Sequence, residues 1–274
     1  MPYYNNPTTL IEAVKSVLFQ STKIEVTLLI IDDGSNESPK NIIDLNFGKF
    51  LSISSNRIIK IITQENQGAA KARNKGIEES KTDYIAFLDC DDLWHENKLQ
   101  LQLDLIENYN LDVIGSDWNN KSHYSKLSNL IGEKSFYKVS KIQIALKWWP
   151  HISTIVIRKK IVEKFGGLDN NFHYADDGDF FLNIANHCDF NIINKSLVKC
   201  HTFKEFEFAD GLSSNLHGMY LNEIETIDKH FNNISIKYFI YFWITIKYYK
   251  RLLKNFFFNV KIKFFKAKRK NNSI

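Results

Sequence analysis

Acidic side chains follow two apolar segments of this chain, in a pattern that could bind a cation. The run VTLLII ends in Asp32 and Asp33, and the run YIAFL ends in DCDD, which holds Asp89, Asp91 and Asp92. We predict that both runs are buried strands of an open α/β sheet, and such sheets bind ligands beyond the carboxyl ends of their strands. Carboxylates gathered at one edge repel one another. A bound hard divalent cation such as Mg2+ or Mn2+ is the simplest way to neutralise this repulsion.

The same acids also have a purely structural interpretation. Asp91 and Asp92 can cap the helix that follows them, and Asp33 with Gly34 can form a turn. For either cluster alone, a structural role and ligand binding are equally good explanations. Two clusters on neighbouring strands favour a bound cation, which would carry a diphosphate and stabilise it as a leaving group.

The segments around these acids alternate between strands and helices. This alternation predicts an α/β fold with a mostly parallel sheet and helices on both faces. Such a sheet normally begins with its own strand, whereas MPYYNN leads almost directly into a helix. We therefore expect a truncated first strand, either because the strand is missing or because the start of the chain is assigned too late. The predicted strands are 26–31, 57–62, 84–88, 112–117 and 153–158, and the predicted helices are 8–20, 68–80, 96–109, 159–165 and 177–187.

The composition combines a folded domain with a basic tail. The chain has 274 residues, 44% of them hydrophobic, and only three cysteines, which argues against global disorder and against a disulfide framework. No apolar run reaches the roughly 18 residues of a membrane-spanning helix, and we expect no secretory signal. Residues 229–274 hold 12 Lys and Arg and no acid, which leaves 24 basic and 31 acidic residues in 1–228. We therefore divide the chain into a domain, 1–228, and a tail, 229–274, that suits an anionic partner.

The tail has the pattern of an amphipathic helix. Aromatic and aliphatic residues recur every three or four positions, and basic residues recur the same way on an adjacent arc. A helix of this kind is suited to lying in the interface of an anionic membrane, although its aromatic face could instead pack on the rest of the protein. A nucleic-acid partner is not expected, because the tail holds no recognisable nucleic-acid module. The apolar set is Phe239, Phe242, Trp243, Ile246, Tyr249, Leu253, Phe256 and Phe257, and the basic set is Lys247, Lys250, Arg251 and Lys254.

Five motifs in order resemble those of family 2 glycosyltransferases, which have the Rossmann-like GT-A fold. MPYYNN resembles the opening P-x-Y-N element, and LLIIDDGSNE resembles the nucleotide-binding strand and loop. NQGAAKARNKGI resembles the G-x-x-x-A-R-N-x-G element, YIAFLDCDDLW the aspartate metal motif, and YADDGDFFL the acidic E/D-D-x-D element. The resemblance covers about residues 1–200, and bacterial enzymes of O-antigen and capsule assembly are similar.

The resemblance implies a binding site for a UDP-sugar. It implies that Asp33 binds the uracil-ribose part, that Tyr4 stacks near the base, and that Pro2 belongs to the same wall of the pocket. It places Arg73 near the nucleotide, with a surface ion pair as the alternative. It implies that Asp91 contacts the ribose or the sugar.

The resemblance also implies a metal site and a catalytic base. The metal ligands would be Asp89, Asp91 and Asp92, with His201 as a further candidate, and the cation would be Mn2+ or Mg2+. Asp177 would take the proton of the acceptor hydroxyl as the sugar is transferred with inversion. Capping is the alternative for the neighbours of Asp177, the acids at positions 176 and 179.

Three residues before the strand at 153–158 lie where the family positions its acceptor. They are Trp148, Trp149 and His151, and Trp rings stack well on sugars, although a place in the core is an equally good explanation.

The expected protein is an inverting, metal-dependent glycosyltransferase that moves a hexose or N-acetylhexosamine from a UDP-sugar to a sugar on undecaprenyl diphosphate. It would act in O-antigen or capsule synthesis, as a peripheral protein at the cytoplasmic face of the bacterial inner membrane. One alternative is a nucleotidyltransferase, although the glycine-rich phosphate loop that such enzymes usually need is not seen. Another is a non-catalytic, membrane-bound scaffold, whose signature would be the loss of one of these acids.

Overall fold

The structure, a computed structural model, describes residues 1–119, 136–147, 150–172, 174–200 and 215–271. These residues form two compact units, which divide between Lys204 and Glu205. The first unit contains the strands and seven of the helices, and the second contains two helices. The predicted functional division at residue 229 stays a prediction.

The strands are short except for three. Within the described ranges they are β1 Pro2–Tyr3, β2 Val26–Asp33, β3 Arg57–Gln64, β4 Tyr84–Ala86, β5 Leu93–Trp94, β6 Val113–Trp118, β7 Phe136–Val139, β8 Val156–Arg158 and β9 Phe190–Lys199. The helices are α1 Pro7–Leu18, α2 Lys40–Ile53, α3 Ala69–Glu79, α4 Lys98–Tyr109, α5 Lys141–Lys147, α6 Lys159–Phe165, α7 Asp176–Ala185, α8 Leu216–His230 and α9 Ile234–Asn271. A 3-10 turn, Ile152–Thr154, precedes β8.

The strands form two hydrogen-bonded groups. In the first, β2 lies between β1 and β3, and all three strands are parallel. In the second, the order is β4-β8-β6-β9-β5, with β7 also on β9, and only the β6–β9 pair is parallel. The α/β class is therefore confirmed, but the second group is more antiparallel than the alternation predicted. Strands as short as β5 show no periodicity, so the sequence could not reveal how they pair.

The first strand is present in a short form. The two residues of β1 pair with Ile31 and Asp32 near the end of β2. This pairing holds Tyr4 and the residues after it close to Asp32 and Asp33, the last two residues of β2. The loop Tyr4–Asn6 therefore begins at the same edge of the sheet as Asp33.

The core around β2 follows the sequence pattern. Ile30 and Ile31 are fully buried, as expected for a central strand with covered faces. The helix predicted over 8–20 is present as α1, and its apolar residues Leu10, Val14 and Val17, spaced three or four positions apart, are also buried. Burial of these side chains holds β2 in place and so fixes the position of Asp32 and Asp33 at its end.

A glycine turn follows β2. Gly34 has a positive φ of 75°, which L side chains rarely adopt. A Cβ atom at this position would lie 2.8 Å from the backbone nitrogen of Asn66. The turn therefore needs glycine, and it lets the chain leave the sheet directly after Asp33.

Among its described residues the second unit is a pair of helices, which confirms the predicted helical tail. Tyr220 of α8 stacks on Tyr248 of α9, with ring centroids 4.6 Å apart. Lys237 of α9 donates to Asp228 of α8 at 2.8 Å. Within the part of the chain that the structure describes, no helix has both the length and the apolarity needed to cross a bilayer.

Candidate functional site

One guanidinium joins two of the acidic segments. Arg73 of α3 donates from Nη2 to Asp89 Oδ1 at 2.7 Å and from Nη1 to Asp176 Oδ2 at 2.8 Å. Only 9% of the Arg73 side chain is exposed, so this is a buried ion-pair cluster rather than a surface pair. The cluster brings the loop after β4 and the first turn of α7 to the same place, although they are far apart in sequence.

The opposite charges in this cluster stabilise one another's ionised forms. Burial opposes the charged form of Arg73, but Asp89 and Asp176 outweigh it and raise the pKa of the guanidinium. Burial likewise opposes ionisation of Asp89, but Arg73 outweighs it and holds the pKa of that carboxyl below its usual range. Both groups are therefore charged at neutral pH. Asp176, interpreted from the sequence as a capping residue, uses its carboxylate to bind Arg73 instead.

Asp177 lies beside this cluster and behaves differently. Its Oδ1 accepts a hydrogen bond from the backbone N–H of Gly178 at 2.8 Å, in the first turn of α7. Burial, and then the negative charge of Asp176, raise the pKa of Asp177 to about 6, while His151 and then Arg73 act in the opposite direction. A carboxylate with such a pKa holds a proton more readily than an ordinary Asp and suits general-base chemistry near neutral pH.

Asp92 is held by the 3-10 turn before β8. Ser153 Oγ donates to Asp92 Oδ2 at 2.5 Å and accepts from the backbone N–H of Asp89 at 3.0 Å. The indole N–H of Trp94 donates to the carbonyl of Ser153 at 2.9 Å and fixes this turn in place. Burial raises the pKa of Asp92 to about 6, although His151 works against it. Ser153 was not identified from the sequence, because the run that contains it has the pattern of an ordinary strand.

Asp92 is also part of a set of side chains that could hold a metal. One ligand atom each from Asp92, His151 and Cys200 lie within 4.8 Å of one another. Asp91 is partly buried in the same loop as Asp92. His201, the fourth predicted ligand, lies outside the described residues, as do Trp148 and Trp149.

Asp33 lies at the end of β2, and its hydrogen-bond partners are not members of the Arg73 cluster. Its Oδ1 accepts from Gln64 Nε2 at 2.7 Å and from the N–H of Gln67 at 2.9 Å, and its Oδ2 accepts from the N–H of Gly68 at 2.8 Å. The carboxylate thus satisfies backbone donors at the start of α3, where a negative charge is favoured. Its predicted contact with a nucleotide stays a prediction.

The segment with Pro2 and Tyr4 borders the loop after Asp33. Tyr4 is half-exposed, with 52% of its surface accessible, and Pro2 lies in β1. The backbone N–H of Asn5 donates to Ser35 Oγ at 3.0 Å, which ties the two loops together. The predicted stacking of Tyr4 near a base stays a prediction.

The fold and the site together define a class of protein. They form an α/β domain with acidic side chains at the end of β2 and in the loop after β4, and open α/β sheets bind ligands beyond the carboxyl ends of their strands. The prediction that these two strands are neighbours is wrong for their hydrogen bonding, because β2 belongs to the first group of strands and β4 to the second. Residues 1–165 match the family described as glycosyl transferase family 2. This match covers more than half of the chain, and the protein belongs to that family.

Curated relatives support the same assignment. The chain is 26% identical over 200 residues to the Escherichia coli protein WfgD, named UDP-Glc:alpha-D-GlcNAc-diphosphoundecaprenol beta-1,3-glucosyltransferase. The match covers 73% of this chain and 72% of WfgD. The chain spans only 17% to 19% of the length of three Rickettsia glycosyltransferases that it matches at 35% to 39% identity.

Solved structures show the same fold. Staphylococcus aureus TarS 1–349 superimposes with a TM-score of 0.63 at 16% identity, over 89% of this chain and 68% of TarS. The mannosyltransferase PcManGT from Pyrobaculum calidifontis, solved with GDP-Man and Mn2+, gives a TM-score of 0.60 at 16% identity, over 83% of this chain and 61% of its own. These likenesses confirm the predicted GT-A fold.

The pKa of Asp177 leads to a prediction about stability. Its pKa is about 6 in the folded protein against an ordinary value of 3.8, so the folded state binds this proton more tightly than the unfolded state. The free energy of unfolding should therefore fall as the pH rises from about 4 to about 6, and stay level above that range. Asp177→Asn should raise it near pH 7.5 by about 1–3 kcal/mol, at about 1.4 kcal/mol per pKa unit, and change it little near pH 4.

Urea denaturation at several pH values, with a chelator present, measures this difference. Asp44→Asn, at an exposed ion pair with Lys40, is the matched control: it keeps Asp177, so it should show the pH dependence of the wild type and differ from it little at every pH. Equal stability of wild type and Asp177→Asn across the whole range would contradict the raised pKa.

Proposed function

We propose that this chain is an inverting, metal-dependent glycosyltransferase that uses a UDP-sugar donor and a lipid-linked sugar acceptor. The observation that carries the proposal is the Arg73 bridge between Asp89 and Asp176. Through this bridge the loop with the candidate metal ligands and the turn with the candidate base Asp177 share one neighbourhood. A displacement at an anomeric carbon needs both: a charge to stabilise the leaving diphosphate and a base for the attacking hydroxyl.

The residues of the aspartate loop fit a hard divalent cation, Mn2+ or Mg2+. Asp92 is only 3% exposed and its burial raises its pKa, so a nearby positive charge would stabilise its ionised form. We assign Asp91 and Asp92 as the principal ligands, because the carboxylate of Asp89 is already bound by Arg73. When bound, the cation supplies the positive charge that neutralises the diphosphate. The Mn2+ reported with PcManGT supports this choice of metal.

Asp177 is the proposed base. Its carboxylate accepts the proton of the acceptor hydroxyl as that oxygen attacks the sugar, by the logic of an inverting glycosidase with a hydroxyl in place of water. The pKa of about 6 leaves most of the carboxylate ionised at neutral pH and still makes it a better proton acceptor than an ordinary Asp. Asp176, which Arg73 binds, helps by its negative charge to hold the pKa of Asp177 up.

The edge of the sheet near Asp33 is the proposed nucleotide subsite. The carboxylate of Asp33 is fixed by three N–H donors, so its orientation is set before a ligand arrives. Its remaining acceptor capacity suits a uracil N–H or ribose hydroxyls, with Tyr4 stacking on the base and Pro2 in the same wall. Arg73 and Asp91 complete the proposed donor site. A TarS structure in complex with UDP-GlcNAc supports a UDP-sugar as the donor.

The acceptor is proposed from the relatives and from the tail. WfgD, by its name, acts on a GlcNAc carried by undecaprenyl diphosphate, which supports a lipid-linked acceptor and a role in O-antigen or capsule synthesis. We place the protein at the cytoplasmic face of the inner membrane, as a peripheral enzyme.

The surface of α9 supports this placement. Phe239, Phe242 and Trp243 are 56%, 66% and 42% exposed, whereas Ile240 and Ile244 on the same helix are fully buried. Exposed rings beside basic residues suit insertion into a membrane interface with attraction to anionic lipid.

Asp177→Asn tests the transfer reaction. The wild-type protein should transfer a radiolabelled sugar from at least one of UDP-glucose, UDP-galactose and their N-acetylated forms to a synthetic GlcNAc-diphosphate lipid. The variant should lose about 10²- to 10⁴-fold in turnover, the typical contribution of a general base, while its affinity for UDP measured by titration calorimetry stays the same. Asp44→Asn should turn over like wild type. Near-normal turnover by Asp177→Asn would exclude Asp177 as the base.

Removal of divalent cations tests the metal. EDTA should abolish transfer, and Mn2+ or Mg2+ added in excess should restore it, because the carboxylates alone cannot neutralise the diphosphate. Asp92→Asn should raise the Mn2+ concentration needed for half-maximal activity, and Asp44→Asn should not. Full activity of the wild-type protein in chelator would rule out the metal dependence.

Alanine substitutions in α9 test the membrane role. Combined Phe239→Ala, Phe242→Ala and Trp243→Ala should reduce sedimentation with phosphatidylglycerol vesicles by at least about tenfold, because three interfacial rings are lost. Phe19→Ala with Leu45→Ala and Ile53→Ala removes three apolar side chains elsewhere that are 59%, 87% and 79% exposed, and is the matched control. Unchanged sedimentation of the α9 variant would leave the tail without a membrane role.

A further inference from the structure

A cysteine that the proposed reaction does not use lies against the aspartate loop. Cys200 directly follows β9, His151 directly precedes the 3-10 turn, and Asp92 lies in the loop after β4. One ligand atom from each of the three lie within 4.8 Å of one another. Asp92 and Cys200 are 3% and 7% exposed, so both groups are withdrawn from solvent. Three separate segments thus bring an oxygen, a nitrogen and a sulfur to one point.

The spacing of these atoms fits a small tetrahedral centre. His151 Nδ1 lies 3.4 Å from Asp92 Oδ2. Two ligand atoms about 2.1 Å from a tetrahedral Zn2+ are roughly 3.4 Å apart, so the distance between these two atoms already matches. The sulfur lies within 4.8 Å of the other two atoms, against roughly 3.6 Å in such a centre, so it moves closer by up to about 1 Å to complete the third corner.

Ser153 donates a hydrogen bond to two of the three side chains. The backbone N–H of Ser153 donates to His151 Nδ1 at 3.3 Å, which favours the tautomer with the proton on Nε2. Ser153 Oγ donates to Asp92 Oδ2. The two atoms lie 3.4 Å apart, and a cation held by both would replace the long Ser153 N–H bond at Nδ1, because that nitrogen has a single lone pair.

We infer that Asp92, His151 and Cys200 form a binding site for a thiophilic divalent cation, of which Zn2+ is the biological example. Thiolate and imidazole ligands favour Zn2+, whereas carboxylate and water suit Mg2+ and Mn2+. Binding releases the thiol proton of Cys200 to solvent, and the sulfur becomes a thiolate ligand. With three protein ligands, the fourth position stays open to water or to a ligand oxygen.

This site overlaps the proposed reaction at one residue. It shares Asp92 with the hard-cation site, but it uses neither Asp89 nor Asp91. Zn2+ bound here would occupy Asp92 and compete with Mn2+ or Mg2+. Its test needs no nucleotide or sugar, so the thiophilic site and the transferase proposal can fail separately.

Cobalt is the probe for the sulfur ligand. The full chain, freed of metal by a chelator and dialysed, is titrated with Co2+ under reducing conditions. We expect one equivalent of Co2+ to produce a thiolate-to-cobalt charge-transfer band in the near ultraviolet, and Zn2+ to remove it. Absence of this band in the wild-type protein would overturn the proposal without the need for any variant.

Two cysteine variants locate the sulfur. Cys200→Ser should abolish the band and weaken Zn2+ binding by more than about a hundredfold, since loss of an outer-shell partner alone already costs about 10- to 100-fold. Cys188→Ser is the matched control, because β9 separates Cys188 from Cys200 by roughly 30 Å at 3.3 Å per residue. Circular dichroism checks that both variants fold. Unchanged Zn2+ affinity in Cys200→Ser would overturn the assignment, as would loss of the band in Cys188→Ser.

Discussion

The buried guanidinium of Arg73 is the interaction on which the candidate site depends. Its two hydrogen-bonded arms reach Asp89 in the loop after β4 and Asp176 in the first turn of α7. Removing one partner of a buried ion pair leaves an uncompensated charge, which is costly by several kcal/mol, so the three side chains hold one another in place. The Asp177 carboxylate takes its position and its electrostatic environment from this arrangement.

The site has an energetic cost that the rest of the domain must offset. Burial raises the pKa of Asp92 and of Asp177 to about 6, so at neutral pH each ionised carboxylate disfavours the folded state. The β2 strand and the α1 helix supply the buried apolar surface that compensates for such groups. Buried carboxylates with raised pKa values, which destabilise the folded state, are expected at ligand-binding sites rather than in parts of the core that serve only packing.

Much of the fold and part of the site could be predicted from local patterns. The strand VTLLII, the apolar face of α1 and the helical tail each have a periodicity that their own residues determine, and the structure confirms them. The antiparallel pairing of β5, β7 and β8 could not be predicted, because strands of two to four residues carry no pattern. Ser153 and Cys200 were missed for a related reason: each is a small residue in or after a strand, and nothing local marks it.

The sequence by itself determined which residues carry charge and at which strand ends they lie, because burial patterns and turn residues are local properties. Only the tertiary structure decided which acids share a partner. Arg73 and Asp176 are separated by 103 positions, and Ser153 and Asp92 by 61, so their contacts depend on how β4, α3 and α7 pack. A hydrogen bond acts over about 3 Å, and the spacing of residues along the chain does not set distances between distant segments on that scale.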